Sequence, residues 1–245
     1  MVFNAAGFGF IPEYSSFQFK AVYDINRNNI LSFNGIGNID KVRFNNNSEE
    51  NKQKNEGILQ NNQWGYTNAF ELKSLISPKS YSLINLTRNY TNYDFAGRDA
   101  NFTENFKNLS TEGETSLKVE YFWNPGYYTQ ISFGGSGKYI NFKNEIKKAS
   151  DTLYVIDPIT GQRTVIPALN FTSSNITYKA DAFVQLTQRV MNIIKFNLGL
   201  RYDYFDFIND KNYISPRTSV VFNVNRKLNF NFSYGIFYQS PSSAI

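Results

Sequence analysis

Apolar side chains recur at every second residue over long stretches of this chain, while the spacing suited to a helix is almost absent. Successive side chains of a strand point to opposite faces, so the pattern describes sheets that are apolar on one side and polar on the other. The clearest run is Ile194, Phe196, Leu198, Leu200, Tyr202 and Tyr204, interleaved with Lys195, Asn197, Gly199, Arg201 and Asp203. Leu228, Phe230, Phe232, Tyr234 and Ile236 repeat it against Asn229, Asn231, Ser233 and Gly235. Other runs are Tyr178, Ala180, Ala182, Val184 and Leu186; Phe17, Phe19, Ala21 and Tyr23; Leu117, Val119, Tyr121 and Trp123; and Ile131 with Phe133.

The alternation predicts strands over 15–25, 30–43, 64–76, 81–93, 113–123, 127–142, 176–188, 193–206, 214–224 and 228–239. Within 81–93, Ile84 and Leu86 fall out of step with Tyr81 and Leu83. The segments run about 10–16 residues, whereas a tilted strand needs ~9–11 to cross a bilayer and globular strands average ~5–6. Their length therefore favours spanning strands over a soluble sandwich.

The connections between them alternate short and long. Asn26–Asn29, Ser77–Ser80, Asn124–Gly126, Arg189–Asn192 and Asn225–Lys227 are tight turns, rich in Asn, Pro and Gly. Between them lie polar stretches at 45–63, 94–111 and 143–175, and a medium one at 207–213. Outer-membrane barrels have short periplasmic turns at one end and long extracellular loops at the other, which produces this rhythm. The longest stretch carries a hairpin signal of its own, 152–156 and 163–166 around Asp157-Pro158-Ile159-Thr160-Gly161-Gln162. These two strands are expected to project beyond the membrane. No shift in composition marks a domain boundary, so residues 1–245 are read as a single barrel region.

Composition narrows the function. Mean hydropathy is −0.43 and no apolar stretch approaches the ~20 residues of a transmembrane helix. Barrels are not excluded by this, because their strands show lipid only every second residue. With no cysteine and no histidine, a disulfide framework, a Ser-His-Asp triad and cysteine or histidine metal sites are all unavailable. The net charge of +5 comes from scattered Lys and Arg that form no basic stripe, which argues against nucleic acid as a partner. The carboxylates Asp203 with Asp206, or Glu112 with Glu114, read more simply as lumen or interface charge than as an acid/base pair. Phe133-Gly134-Gly135-Ser136-Gly137 lacks the Lys-Ser/Thr ending of a phosphate loop and, like Gly35 and Gly37, marks a bulge or a close backbone approach. No catalytic residue, metal site or cofactor is expected.

Aromatics make up 17% of the chain. Trp64, Tyr66, Tyr121, Trp123, Tyr127, Tyr202, Tyr204, Tyr234 and Tyr238 fall near strand ends, where aromatic girdles anchor barrels at the headgroups. Tyr90, Tyr93 and Phe95, entering the stretch at 94–111 with Arg98, are the better ligand-binding candidates. On the polar alternates, Lys195, Asn197, Arg201, Asp203, Arg217, Asn229 and Asn231 are expected to face a lumen.

One further pattern is carried by the order of Leu200-Arg201-Tyr202-Asp203, then Ser215-Pro216-Arg217-Thr218-Ser219, then Tyr234-Gly235-Ile236-Phe237-Tyr238-Gln239-Ser240-Pro241. This resembles the barrel of TonB-dependent outer-membrane receptors, most sharply over 178–241, and the richness in Asn and aromatics is similar to receptors of the Bacteroidota group. The resemblance implies a receptor in the bacterial outer membrane that takes up siderophores, cofactors, glycans or peptides. It also implies a plug domain within a barrel of about 22 strands, and an inner-membrane TonB complex that supplies the energy. Residues 1–10 show no signal peptide, and no energy-coupling box, plug or closing aromatic strand is recognisable. A partial barrel is therefore expected, since open sheet edges cannot be satisfied in hydrocarbon. The rivals are a closed ten-stranded barrel serving as a passive pore, adhesin or scaffold, and a soluble carbohydrate-binding sheet. An enzyme comes last.

Overall fold

The computed structural model of the chain describes residues 9–99, 103–156, 163–191, 193–225 and 227–239. Ten strands make one antiparallel sheet: β1 (Phe10–Asn26), β2 (Asn29–Phe44), β3 (Gln60–Ser77), β4 (Ser80–Arg98), β5 (Glu104–Gly126), β6 (Thr129–Lys148), β9 (Leu169–Val190), β10 (Ile194–Phe205), β11 (Asn212–Asn225) and β12 (Leu228–Gly235). Each pairs with the next in chain order, from β1 at one edge to β12 at the other. The expected hairpin forms a separate two-stranded sheet, β7 (Asp151–Ile156) with β8 (Arg163–Ile166). Its turn at 157–162 lies outside the described residues. The two edges do not pair with each other, so the large sheet is open.

Register turns the alternation of single strands into two continuous faces. Phe33 stands opposite Phe70, Phe70 opposite Leu86, Leu86 opposite Leu117, Leu117 opposite Gly137, Gly137 opposite Ala180, and Ala180 opposite Tyr204. A slip of one residue anywhere would mix the faces, so the pattern itself fixes the pairing. Among the described residues no second layer covers the apolar face: Leu198 and Leu200 are each 50% exposed and Phe232 is 66% exposed. A bare apolar surface on this scale suits an apolar solvent. What is buried lies mainly on the other face, where Ile140 and Thr177, opposite each other on β6 and β9, are 1% exposed. Phe207, from the β10–β11 connection, seats against Phe142 nearby at 6.2 Å between ring centroids.

The tight turns gather at one end. Asn26 Oδ1 accepts hydrogen bonds from the backbone N–H groups of Asn28 (2.9 Å) and Asn29 (3.0 Å), closing the β1–β2 turn, and Asn225 Oδ1 accepts from Lys227 N–H at 2.8 Å. Asn side chains thereby mimic a backbone turn, accepting from N–H groups two or three residues on. At the other end the structure corrects the expected loops. β4 runs on to Arg98 and β5 starts at Glu104, so most of the 94–111 stretch is paired strand. In the same way β6 and β9 continue to Lys148 and from Leu169, shortening the 143–175 stretch. Alternation of polarity stops before backbone pairing does, and the expected strand ends followed polarity.

The 45–63 stretch contains a short helix, α1 (Glu49–Asn55), rather than plain loop. Ser48 caps it, its Oγ accepting from Asn51 N–H at 3.2 Å, with Glu49 and Glu50 in the first turn and Lys52 and Lys54 in the last. The last strand stops at Gly235 instead of 239, and residues 236–239 are irregular. In β4, Ile84 and Leu86 share the apolar face with their partners Leu72 and Phe70. Tyr81 and Leu83 are the residues on the polar face, where Tyr81 stacks on Phe122 at 4.6 Å. Gly134 and Gly135 of β6 mark close approach without a bulge. A Cβ on Gly135 would meet the Asp181 carbonyl oxygen at 2.6 Å, and β6 pairs with β9 in unbroken register through this segment.

Candidate functional site

The polar face is concave and its side chains are linked across strands. At the tight-turn end, a concavity of about 1260 Å³ is lined by Lys79 in the β3–β4 turn, Lys195 and Asn197 on β10, Arg217 on β11, and Tyr234 and Phe237 around the end of β12. Residues from the β3–β4 turn and from the far edge can line one space only if the sheet curls strongly about its polar face. Within it, Thr187 Oγ1 donates to Asn197 Oδ1 at 2.9 Å, and Asn197 Nδ2 donates to Ser219 Oγ at 2.8 Å. The Arg217 guanidinium lies 4.7 Å from the centroid of the Phe237 ring, a cation–π distance.

Nearer the long-connection end sits a charged cluster. Asp181 and Asp203 occupy directly opposed positions on β9 and β10, an arrangement that is repulsive by itself. Arg201 resolves it, its Nε donating to Asp203 Oδ1 at 2.9 Å and its Nη2 standing 3.4 Å from Asp181 Oδ2. Ser136, across from Asp181 on β6, donates to the same carboxylate. Asp203 is only 5% exposed, so its charge is held by these partners rather than by water. One row away, Lys138 Nζ pairs with Glu114 Oε1 at 2.8 Å. Asp206, in the connection after β10, pairs with Lys211 at 2.8 Å. The Lys211 ammonium holds the Asp206 carboxyl below the usual aspartate range, and Asp206 in turn holds Lys211 above the usual lysine range. Asp203 and Asp206 thus neutralise separate cations and do not face each other as an acid/base pair.

Of the residues singled out in the sequence, Lys195, Asn197, Arg201, Asp203, Arg217, Asn229 and Asn231 all lie on this one face by register. Lys195, Asn197 and Arg217 share the concavity, Arg201 and Asp203 form the charged cluster, and Asn229 and Asn231 stand exposed on the edge strand. The candidates Tyr90, Tyr93, Phe95 and Arg98 are not in a loop but within β4, and the strand divides them. Tyr93 and Phe95 stack on the polar face with centroids 6.1 Å apart. Arg98 sits opposite Glu104 beyond a register shift. Tyr90 is on the apolar face, 5.3 Å from Trp64 and 5.8 Å from Tyr66, in an aromatic cluster. The sequence reading missed Asp181, Ser136 and Lys138, although Asp181 was visible as a polar alternate between Ala180 and Ala182.

Comparison with known proteins agrees with this geometry. Residues 3–244 match the family model described as TonB dependent receptor-like, beta-barrel. No curated protein matches by sequence. Among solved structures, the FpvAI–pyocin S2 complex aligns with a TM-score of 0.69 at 12% identity, over 93% of this chain and 35% of that one. FpvA from P. aeruginosa, in complex with a pyoverdine and iron, aligns with a TM-score of 0.66 at 12% identity, over 89% and 34%. The outer membrane transporter YddB from Escherichia coli aligns with a TM-score of 0.61 at 10% identity, over 88% and 30%. The chain spans about a third of the length of each.

Proposed function

This chain belongs to the TonB-dependent receptor-like β-barrel family, and from that premise we propose that it forms part of the barrel wall of an active uptake receptor in the bacterial outer membrane. The observation that carries the reading is the two-faced open sheet: ten strands in chain order, apolar and uncovered outside, polar and linked inside. A closed ten-stranded pore would pair β1 with β12, which are not neighbours. The unpaired edges call for further strands of the same wall.

In this reading Lys195, Asn197, Arg201, Asp203, Arg217, Asn229 and Asn231 face the lumen and meet a plug domain, whose movement is driven by an inner-membrane TonB complex. Tyr93, Phe95 and Arg98, at the long-connection end, contribute to the mouth that receives a siderophore, cofactor, glycan or peptide. Tyr90 belongs with the headgroup girdle. The family is one of receptors rather than enzymes, and the inward carboxylates of Asp181, Asp203 and Glu114 are occupied in ion pairs.

The test is an immunoblot of fractionated native cells with an antibody against residues 143–175, followed by capture of the detected protein on the purified periplasmic domain of TonB. The reading expects an outer-membrane band several times heavier than 28.2 kDa that is retained by TonB. A soluble band, or an outer-membrane band near 28.2 kDa that TonB does not retain, overturns it.

A further inference from the structure

The apolar face changes character partway up. On β6 its positions read Ile131, Phe133, Gly135, Gly137 and Tyr139, then Asn141, Lys143, Glu145 and Lys147. On the same face of the neighbouring strands, Glu13, Lys41, Arg43, Asp94 and Lys107 stand at or above this level. Three of these cations are matched by carboxylates: Arg43 by Glu13, Lys107 by Asp94 and Lys147 by Glu145. Lys41 and Lys143 form no ion pair among the described residues, and both are exposed.

Arg88 is the third unmatched cation and the most unusual. It lies on the apolar face between Leu86 and Tyr90, opposite Asn68 and Thr115. Its Nη1 donates to Thr115 Oγ1 at 2.8 Å. The guanidinium lies over Gly113, where a Cβ would meet Nη2 at 2.5 Å and the Asn141 Oδ1 at 2.6 Å. Beside it stands the cluster of Trp64, Tyr66 and Tyr90, residue types that settle at the level of lipid headgroups. A guanidinium on a lipid-facing surface is costly unless its charge meets an anion or water, and one neutral hydroxyl does not neutralise it. These outward charged residues comprise six cations against three carboxylates, with the surplus on Lys41, Arg88 and Lys143.

We propose that Arg88, with Lys143 and Lys41 above it, docks the phosphate groups of outer-leaflet lipids against the outside of the barrel wall. Charge complementarity selects the occupant: phosphate oxygens stand just beyond the acyl layer, and a guanidinium fork takes two of them at once. The inference rests on the outer-membrane reading above.

The experiment uses the full-length receptor purified from outer membranes, with phosphatidic acid as the probe, phosphatidylcholine and inorganic phosphate as comparisons, and native mass spectrometry as the readout. Phosphatidic acid should bind in a salt-sensitive way, weakening on the order of fivefold for each of Arg88→Gln, Lys143→Gln and Lys41→Gln. Arg88→Lys should retain much of the binding, and heat-modifiable mobility on gels should show that every variant still forms a barrel. Unchanged binding in the triple variant would overturn the proposal. So would competition by inorganic phosphate as effective as that by lipid, which would mean a site for soluble anions. If the protein is absent from the outer membrane, the reading beneath fails as well; if it is present and its lipid binding is indifferent to these cations, only this inference fails.

Discussion

Arg201 holds two carboxylates that would otherwise repel across neighbouring strands. Replacing it by methionine leaves Asp181 and Asp203 facing each other, and should cost about 2 kcal/mol, less than the ~3–5 of fully buried pairs because Arg201 is partly exposed. Adding Asp203→Asn to that variant should recover part of the loss, since it removes one of the two like charges. Urea unfolding of the full-length protein in detergent would measure both, and equal stability of the single and double variants would count against the cluster. The β6 glycines give a second contrast. Gly135→Val places side-chain atoms against the Asp181 carbonyl and should destabilise by roughly 2 kcal/mol, while Gly137→Ala, which meets nothing within 4 Å, should be neutral or better. At this scale the sequence showed the face of residues in the cleanly alternating strands but not which residues meet. Arg201 and Asp203 were legible as polar alternates, whereas their link to Asp181 and Ser136 needed the β6–β9–β10 register. Tyr90 was grouped with Tyr93 by proximity in the chain, although parity along a strand places them on opposite sides.

The strands were legible in number and order because nearly every one carries its own two-residue period. Their ends were not. β4 and β5 remain paired well beyond the last alternating residues, as Phe95 opposite Asn108 and Ala96 opposite Lys107 show. The helix α1 went unread because seven polar residues offer no apolar periodicity, and only Ser48 and the acidic first turn marked it. The connection between β10 and β11 carries a pH dependence that follows from its ion pair. Asp206 has its pKa depressed, so its contribution is complete above the unfolded value and is lost as pH falls through the folded one, below 3.8. Lys211 has its pKa raised, so its contribution is complete below 10.5 and is lost as pH rises through the folded value. Amide exchange at 206–211 should therefore be protected evenly across neutral pH, with protection falling at the acid end. Asp206→Asn should abolish that acid step, and a step that persists in the variant would assign it to another group.

For the molecule as a whole, the two faces make opposite demands on their surroundings. The chain contains no cysteine, so within it a single replacement supplies a single thiol for each face. In the full-length protein in cells, Asn197→Cys should react with a small water-soluble maleimide that can enter the lumen. Leu198→Cys, one residue on and facing outward, should be protected, and should react only after transfer to a lipid-soluble reagent. Equal labelling of both positions by the water-soluble reagent would mean that the apolar face is not against lipid.

In the proposed outer-membrane setting, the switch from Tyr139 to Asn141 and Lys143 on β6 gives this wall a waterline. From Ile131 to Tyr139 the strand covers ~27 Å at about 3.3 Å per residue, and it continues to Lys148 for a similar distance above. The freeboard is thus about as tall as the draught. Because the two parts are one continuous strand, the immersed portion sets the depth at which the wall rides, and the rim can be rebuilt without disturbing it. On the proposed receptor reading, what is caught at the top can change while the hull stays the same.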